Sequence, residues 1–221
     1  MGILTSNQKK FLELFFSYFP EQKFFLTGGT ALSEYYLKHR LSEDLDLFTT
    51  DQGVDFALVS LQMNKLIHQL NFEIDHQVST PAFLQYIIKR GNKESLKVDI
   101  VKDVPVHFGR IRNIGGINID SLENIAVGKL LAIFGRTAPK DFIDVYFLLK
   151  EKELDFNEVF KLAKKKDLGL NEFYLAEMFY QVTKLENFPK TLRPFNKKEM
   201  VKFFLELSQS LLLKIKPTDK S

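Results

Sequence analysis

The sequence predicts an α+β fold: a mixed sheet with flanking helices, followed by a helical C-terminal domain. Two observations lead to this prediction. Between residues 24 and 119, short runs rich in Phe, Ile and Val are separated by turn residues, as expected for strands. From residue 120 onward, apolar residues recur mainly at helical spacing. We therefore expect an α/β domain over residues 1–119 and a helical domain over residues 120–221.

The composition narrows the function classes. The 221 residues make one large domain or two small ones, and 45% of them are hydrophobic, which allows a substantial core. The absence of cysteine excludes disulfides and thiolate metal sites and fits a reducing cytoplasm. No apolar run approaches the roughly 20 residues of a membrane span. We expect a cytoplasmic protein that does not bind membranes, and the net charge of +3 is too small to argue for nucleic-acid binding.

Helices and strands alternate through the first half of the chain. An amphipathic helix is predicted from Ser6 to Phe19, with Ser6 as its N-cap and Pro20 ending it. A second long helix is predicted from Val54 to Leu70. Three strand-like runs follow, the last two joined by a turn at residues 91–93: Phe72–Ser79, Phe83–Arg90 and Glu94–Val101.

The most informative stretch runs from Phe24 to Phe48. It predicts a short strand, a glycine turn that opens a helix, and a second strand that begins with Asp44 and carries Asp46. Side chains two residues apart on a strand share a face, so the two carboxylates project together. Carboxylates this close repel each other unless a cation lies between them. Mg²⁺ (or Mn²⁺), held by carboxylates and substrate phosphates, suits such a site.

The glycine turn supplies a matching phosphate site. Gly28 and Gly29 let the backbone pass close to a ligand, and the helix that starts around Thr30 offers free N–H groups and a positive dipole end. Arg40 and Ser42 precede the carboxylates and are placed to contact phosphate oxygens. Taken singly, these residues also fit a plain turn, a surface arginine and a loop serine. Together with the carboxylates they predict phosphoryl or nucleotidyl transfer.

This combination resembles the signature of the AbiEii/AbiGii toxin family of nucleotidyltransferases, within the DNA polymerase β-like superfamily. The family pattern is a Gly-Gly turn, an Ala-Leu pair, an Arg and a Ser-x-Asp-x-Asp motif. In this sequence the matching residues are Gly28, Gly29, Ala31, Leu32, Arg40, Ser42, Asp44 and Asp46. With a later segment, the resemblance covers residues 24–149.

A third carboxylate is expected on a strand next to the Asp-x-Asp strand, as the resemblance implies. Asp99 is the candidate, because it lies between Val98 and Ile100 and a charge in an apolar strand needs a partner or a metal. In the family this residue is implied to bind the metal that activates the attacking hydroxyl, or to act as its general base. Asp103 and Asp75 are the alternatives.

A second segment extends the resemblance. A helix capped by Asp120 or Ser121 is predicted to reach Phe134, and Pro139 fits the first turn of the next helix. The family pattern is a Lys, an Arg two turns later, then Lys-Asp with another Asp three residues on. The matching residues are Lys129, Arg136, Lys140, Asp141 and Asp144. The resemblance implies that Lys129 contacts the triphosphate and that one Asp, either 141 or 144, is required. The alternative interpretation is that these charged residues form an ordinary ladder of salt bridges between helix faces.

The resemblance implies a metal-dependent enzyme that moves an NMP from an NTP to an acceptor hydroxyl, with the helical domain closing the nucleotide cleft. It further implies the toxin of a bacterial toxin–antitoxin or abortive-infection system, with an antitoxin protein and an RNA (such as tRNA) or protein acceptor as partners. Two alternatives remain: a catalytically silent binding module of the same fold, and an antibiotic-type small-molecule nucleotidyltransferase. The residues expected to bind the nucleotide are Gly28, Gly29, Thr30, Arg40, Ser42, Lys129, Arg136 and Asp144; the catalytic ones are Asp44, Asp46, Asp99, Lys129 and Asp141.

Overall fold

The computed structural model describes residues 2–20, 23–91, 94–152 and 154–215. Over these ranges it contains seven strands and eight α-helices, so the predicted α+β class is confirmed. The chain divides into two compact units, Met1–Ile125 and Ala126–Ser221. The division lies inside the fourth helix, six residues after the domain boundary that the sequence predicts at residues 119 and 120.

The first unit contains one mixed sheet and three helices. The helices are α1 (Ser6–Tyr18), α2 (Gly28–Leu32), which continues as a π-helical turn over Ser33–Leu37, and α3 (Phe56–Gln69). The strands are β1 (Phe24–Thr27), β2 (Leu45–Thr49), β3 (Glu73–Ser79), β4 (Phe83–Arg90), β5 (Glu94–Lys102), β6 (Arg112–Ile114) and β7 (Ile117–Ile119). Their order across the sheet is β3-β4-β5-β2-β1-β7-β6. Strand β2 is central, antiparallel to β1 and parallel to β5.

Alternation along β2 separates an apolar face from a polar one. Leu45 and Leu47 of β2 are fully buried, whereas the residues between and before them are half-buried. Helix α1 packs on the apolar face, where the ring of Phe15 lies 5.4 Å from that of Phe24 in an edge-on contact. Asp46 therefore lies on the face of β2 opposite to Leu45 and Leu47.

Local sequence effects explain where α1 begins. Thr5 caps the helix in a capping box: its hydroxyl accepts from the Gln8 amide, and the Gln8 side chain accepts from the Thr5 amide. The prediction that Ser6 is the cap is wrong, because a glutamine three residues after Thr5 closes this reciprocal pair. Strand β2 begins at Leu45, so Asp44 immediately precedes it. Residues 92 and 93 of the predicted hairpin turn lie outside the described part of the chain.

The second unit is helical. Its elements are the later part of α4 (Leu122–Gly135), α5 (Pro139–Glu151), α6 (Phe156–Lys166), α7 (Glu172–Tyr180), a 3₁₀ turn (Gln181–Lys184) and α8 (Lys197–Leu212). Pro139 occupies the first turn of α5, as predicted. Phe204 lies at the centre of the core, with its ring 4.9 Å from Phe142 and 5.2 Å from Phe179. Among the described helices, none combines the length and hydropathy needed to cross a membrane.

Candidate active site

The pairing of β2 with β5 brings the three predicted carboxylates to one face of the sheet. Asp46 is directly aligned with Asp99 in the parallel register, and Asp44 precedes Asp46 by two residues. The side chains of Asp44 and Asp99 converge on the ammonium group of Lys97, whose Nζ lies 3.9 Å and 2.7 Å from their respective Oδ2 atoms. The three carboxylates thus form one acidic cluster, which we call the carboxylate cluster.

Two residues that the sequence did not predict hold the Asp99 carboxylate of this cluster. Lys97 binds Asp99 Oδ2, and Gln85 Nε2 donates to Asp99 Oδ1 over 2.9 Å. Burial works against the charge of Lys97, but the hydrogen bond to Asp99 and the nearby carboxylates outweigh it and raise the pKa of the ammonium. Lys97 precedes Asp99 by two residues, so strand alternation alone could have identified it; Gln85 required the β4–β5 register.

The glycine turn lies directly against the cluster. Gly28 has φ +68°, and a β-carbon at this position would overlap the carboxylate of Asp46. A β-carbon on Gly29 would lie 2.5 Å from Arg40 Nη2 and 2.9 Å from Ser42 Oγ. The two glycines are therefore needed for close approach, and the structure gathers Gly28, Gly29, Arg40 and Ser42 beside Asp46.

Hydrogen bonds fix the loop that leads into β2. The Thr30 hydroxyl donates to the carbonyl of Asp44, and Gln8 Nε2 donates to the carbonyls of Ser42 and Glu43 at 3.3 Å and 2.9 Å. The guanidinium of Arg40 is buried and donates to the Leu41 carbonyl at 2.8 Å. The side chain of Thr30, predicted to contact the nucleotide, thus positions the backbone of a carboxylate residue.

The two alternative carboxylates lie elsewhere. Asp75 is on β3 and pairs with Lys89 of β4 at 2.5 Å. Asp103 follows β5 and accepts a hydrogen bond from the Val104 amide at 2.9 Å. Neither residue is in register with Asp46, so Asp99 is the one whose position fits a third member of the cluster.

Asp120, an acidic residue outside the carboxylate cluster, anchors the strand that leads into the glycine turn. It follows β7 and is completely buried. Its carboxylate accepts from Thr27 Oγ1 at 2.5 Å and from Asn124 Nδ2 at 2.9 Å, and bonds His107 Nε2 at 2.8 Å. Thr27 immediately precedes Gly28, so this network holds the entry to the turn.

The residues of the second family motif bind one another within the second unit. Lys129 Nζ lies 3.1 Å from Asp141 Oδ1 and 2.7 Å from Asp144 Oδ2. Asp141 also accepts from Arg136 Nε at 2.8 Å. Both carboxylates are completely buried, and two cations match two anions. The assignments of Lys129, Arg136 and Asp144 to the nucleotide and of Asp141 to catalysis stay predictions.

The donor set fits a hard divalent cation. Among the residues that the structure describes, no group of three or more His, Cys, Asp or Glu side chains has metal-holding geometry. Nevertheless, Asp44 and Asp99 direct oxygens at a common cation, the ammonium of Lys97. Carboxylate oxygens are the ligands that Mg²⁺ prefers, so the chemistry of this donor set suits such an ion.

The fold is similar to that of solved proteins described as nucleotidyltransferases. The chain is similar in structure to the nucleotidyltransferase toxin MenT4 of Mycobacterium tuberculosis, with a TM-score of 0.61 and 11% identity over 94% of this chain and 82% of that one. It is also similar to JHP933 of Helicobacter pylori, with a TM-score of 0.57 and 22% identity over 96% and 94% of the two chains. At these identities, the likeness shows the fold.

A family assignment follows from the sequence comparison. The model of the family described as nucleotidyl transferase AbiEii toxin, type IV toxin–antitoxin system, matches residues 11–210. The chain belongs to this family, as its glycine turn and Asp-x-Asp motif predicted. An uncharacterized protein of Aquifex aeolicus is 34% identical over 158 residues, which span 70% of this chain and 71% of the relative.

Proposed function

We propose that this protein is a divalent-metal-dependent enzyme that transfers an NMP from an NTP to an acceptor hydroxyl. Membership of a nucleotidyltransferase family supports the reaction class. The observation that carries the proposal is the alignment of Asp46 with Asp99 on adjacent strands, with Asp44 on the same face and Gly28 packed against Asp46. This arrangement places a carboxylate cluster beside a glycine turn whose backbone the phosphates of an NTP can approach closely.

Each group has a defined task in this reaction. Asp44, Asp46 and Asp99 would hold Mg²⁺ or Mn²⁺, which supplies Lewis-acid stabilisation of phosphate charge when bound. The turn at Gly28 and Gly29 admits phosphate oxygens close to the backbone. The acceptor hydroxyl loses its proton to solvent water as its oxygen forms a bond to the α-phosphorus, the bond from that phosphorus to the bridging oxygen breaks, and pyrophosphate leaves with the bonding electron pair.

Arg40 and Ser42 would contact the phosphates, since both lie at the edge of the glycine turn. Gln85 orients the Asp99 carboxylate by donating from Nε2 to Oδ1. Orientation matters because transfer requires the acceptor oxygen and the leaving group to lie in line. Side chains held by neighbours lose little freedom when the substrate binds.

The biological role proposed is that of a cytoplasmic toxin countered by an antitoxin protein. The description of the family as part of a toxin–antitoxin system supports this role. The acceptor proposed is an RNA such as tRNA, or a protein. An antibiotic-type small molecule would be the acceptor if labelled nucleotide appeared in a low-molecular-weight product.

The test is transfer of label from each α-³²P-NTP, with Mg²⁺, to RNA, protein and small-molecule fractions of a cell extract. We expect transfer by the wild type, loss in Asp46→Asn and Asp99→Asn, and retention in Asp75→Asn. Asp75 is a matched control because it is a strand Asp of the same sheet with a lysine partner. If folded wild type neither transferred label nor bound NTP by calorimetry, the protein would be a binding module instead.

A further inference from the structure

Lys97 lies inside the carboxylate cluster. Its Nζ is 2.7 Å from Oδ2 of Asp99 and 3.9 Å from Oδ2 of Asp44, while Asp46 occupies the neighbouring position on β2. The side chains are only partly accessible, at 36% for Lys97, 35% for Asp44 and 15% for Asp99. The ammonium group is thus a partly desolvated counter-ion to several carboxylates.

A divalent ion and this ammonium need the same oxygen atoms. Mg²⁺ binds carboxylate oxygens at about 2.0–2.1 Å and demands near-octahedral geometry. Oδ2 of Asp99 already receives the Lys97 hydrogen bond. Two cations sharing that oxygen would repel each other strongly at such short separation, particularly in a partly buried site. Metal binding therefore requires the lysine head group to move.

The side chain is able to make this movement. Lysine has a flexible four-carbon stem and a compact charged head group with three rotatable donors. Asp99 keeps the hydrogen bond from Gln85 at its other oxygen when the ammonium leaves, so its orientation is retained. The cluster consequently has two ways of balancing its charge: the internal ammonium or a divalent ion.

We propose that Lys97 is a built-in competitor for the divalent metal, holding the carboxylate cluster through Asp99 and Asp44 until the ion displaces it. This inference rests on the proposed metal-dependent function. It assigns Lys97 the task of setting the metal affinity of the cluster. The displaced ammonium remains on the same strand face, where it adds positive charge for the phosphates of the substrate.

The protein is titrated with Mn²⁺ alone, and free Mn²⁺ is measured by electron paramagnetic resonance. Lys97→Met keeps the apolar stem and removes the charge, and Lys97→Gln is the second variant if the methionine variant fails to fold. Lys97→Arg keeps the charge. Lys89→Met is the matched control, since Lys89 forms a strand ion pair with Asp75 away from the cluster. The Asp44→Ala/Asp46→Ala protein reports binding outside the cluster.

We expect Lys97→Met to bind Mn²⁺ about tenfold more tightly than wild type. The reason is that a like charge this close disfavours the bound ion, and the methionine side chain removes that charge. Lys89→Met should stay close to wild type, and Lys97→Arg, which keeps the like charge, should show no gain in Mn²⁺ affinity. Equal or weaker Mn²⁺ binding by folded Lys97→Met and Lys97→Gln would overturn the competitor role. If the Asp44→Ala/Asp46→Ala protein nevertheless lost Mn²⁺ binding, the carboxylate cluster would still be the metal site. Absence of Mn²⁺ binding in every protein would overturn the metal site itself.

Discussion

Gly28 and Asp46 are packed so closely that residue 28 has no room for a β-carbon beside Oδ2 of the aspartate. Gly28 also has φ +68°, a left-handed conformation that other residues adopt at a cost. The turn and the carboxylate are therefore one structural unit. A side chain at position 28 would have to push Asp46 out of the cluster, away from its register partner Asp99.

Gly28→Ala should lower the free energy of unfolding by about 2–3 kcal/mol and abolish nucleotide transfer, because backbone strain adds to the clash with Asp46. The measurement is urea denaturation together with the transfer assay. Gly115→Ala is the control: φ is +59° there, but nothing lies within 4 Å of an added β-carbon. It should cost about 1 kcal/mol and leave transfer intact. Equal behaviour of the two variants would contradict the packing argument.

Gln85→Leu should reduce transfer by about 10-fold to 100-fold while the protein stays folded, since it removes the hydrogen bond that orients Asp99. Gln77→Leu serves as the control. Gln77 is a strand glutamine of the same sheet, but it donates to Ser60 and Tyr86 instead of the cluster. Steady-state kinetics at saturating Mg²⁺ measure both. Unchanged kcat and KM in Gln85→Leu would show that Asp99 needs no such support.

Burial determines how much each charged side chain of the second motif contributes to the free energy of unfolding. Asp144→Ala should lower the free energy of unfolding by about 3–5 kcal/mol, because Lys129 loses its 2.7 Å partner in a buried site. Arg136→Ala should cost less than about 1 kcal/mol, since the Arg136 side chain is 57% exposed. Chemical denaturation measures both losses. Similar losses would show that the exposure of the Arg136 side chain does not reduce its contribution to stability.

The sequence predicted the parts of the site that depend on local periodicity. Alternation placed Asp44 and Asp46 on one face, and the apolar neighbours of Asp99 marked a charge that needs a partner. The start of α5 at Pro139 followed from local helix-start chemistry as well. In each case the information lies within a few residues of the feature.

Contacts between residues on different strands could not be predicted from local periodicity. Asp120 and Thr27 are 93 residues apart, and they meet because β7 pairs in parallel with β1. Gln85 reaches Asp99 through the antiparallel register of β4 and β5. A single sequence carries no signal for either register, so these supports had to come from the structure.

Asp120→Ala should lower the free energy of unfolding by about 3 kcal/mol or more, because several buried donors, including Thr27 Oγ1 and Asn124 Nδ2, would lose their acceptor. The control is Asp103→Ala, which removes a loop carboxylate that accepts a hydrogen bond from the adjacent Val104 amide. Its cost should stay within about 0.5 kcal/mol. Thermal and urea unfolding distinguish the two, and a mild effect at Asp120 would contradict its role as an anchor.

The pair formed by Lys164 and Glu172 should make a small part of the stability dependent on pH. Lys164 Nζ lies 2.9 Å from Glu172 Oε1, and this hydrogen bond, with burial opposing it, lowers the pKa of Glu172. A lowered pKa contributes stability above the unfolded value of about 4.3, and the contribution is lost as the pH falls through the lowered pKa. Glu172→Gln should therefore be about 0.5 kcal/mol less stable than wild type at pH 7.

The difference should shrink steadily below about pH 4, because the carboxylate is then protonated in wild type as well. It should also shrink at high salt, since the pair is partly exposed. Urea denaturation across this pH range is the measurement, with Glu177→Gln as the control because Glu177 is an exposed glutamate of the same helix. A difference between wild type and Glu172→Gln that persisted unchanged at low pH would show that the side-chain amide, not the lost charge, causes it.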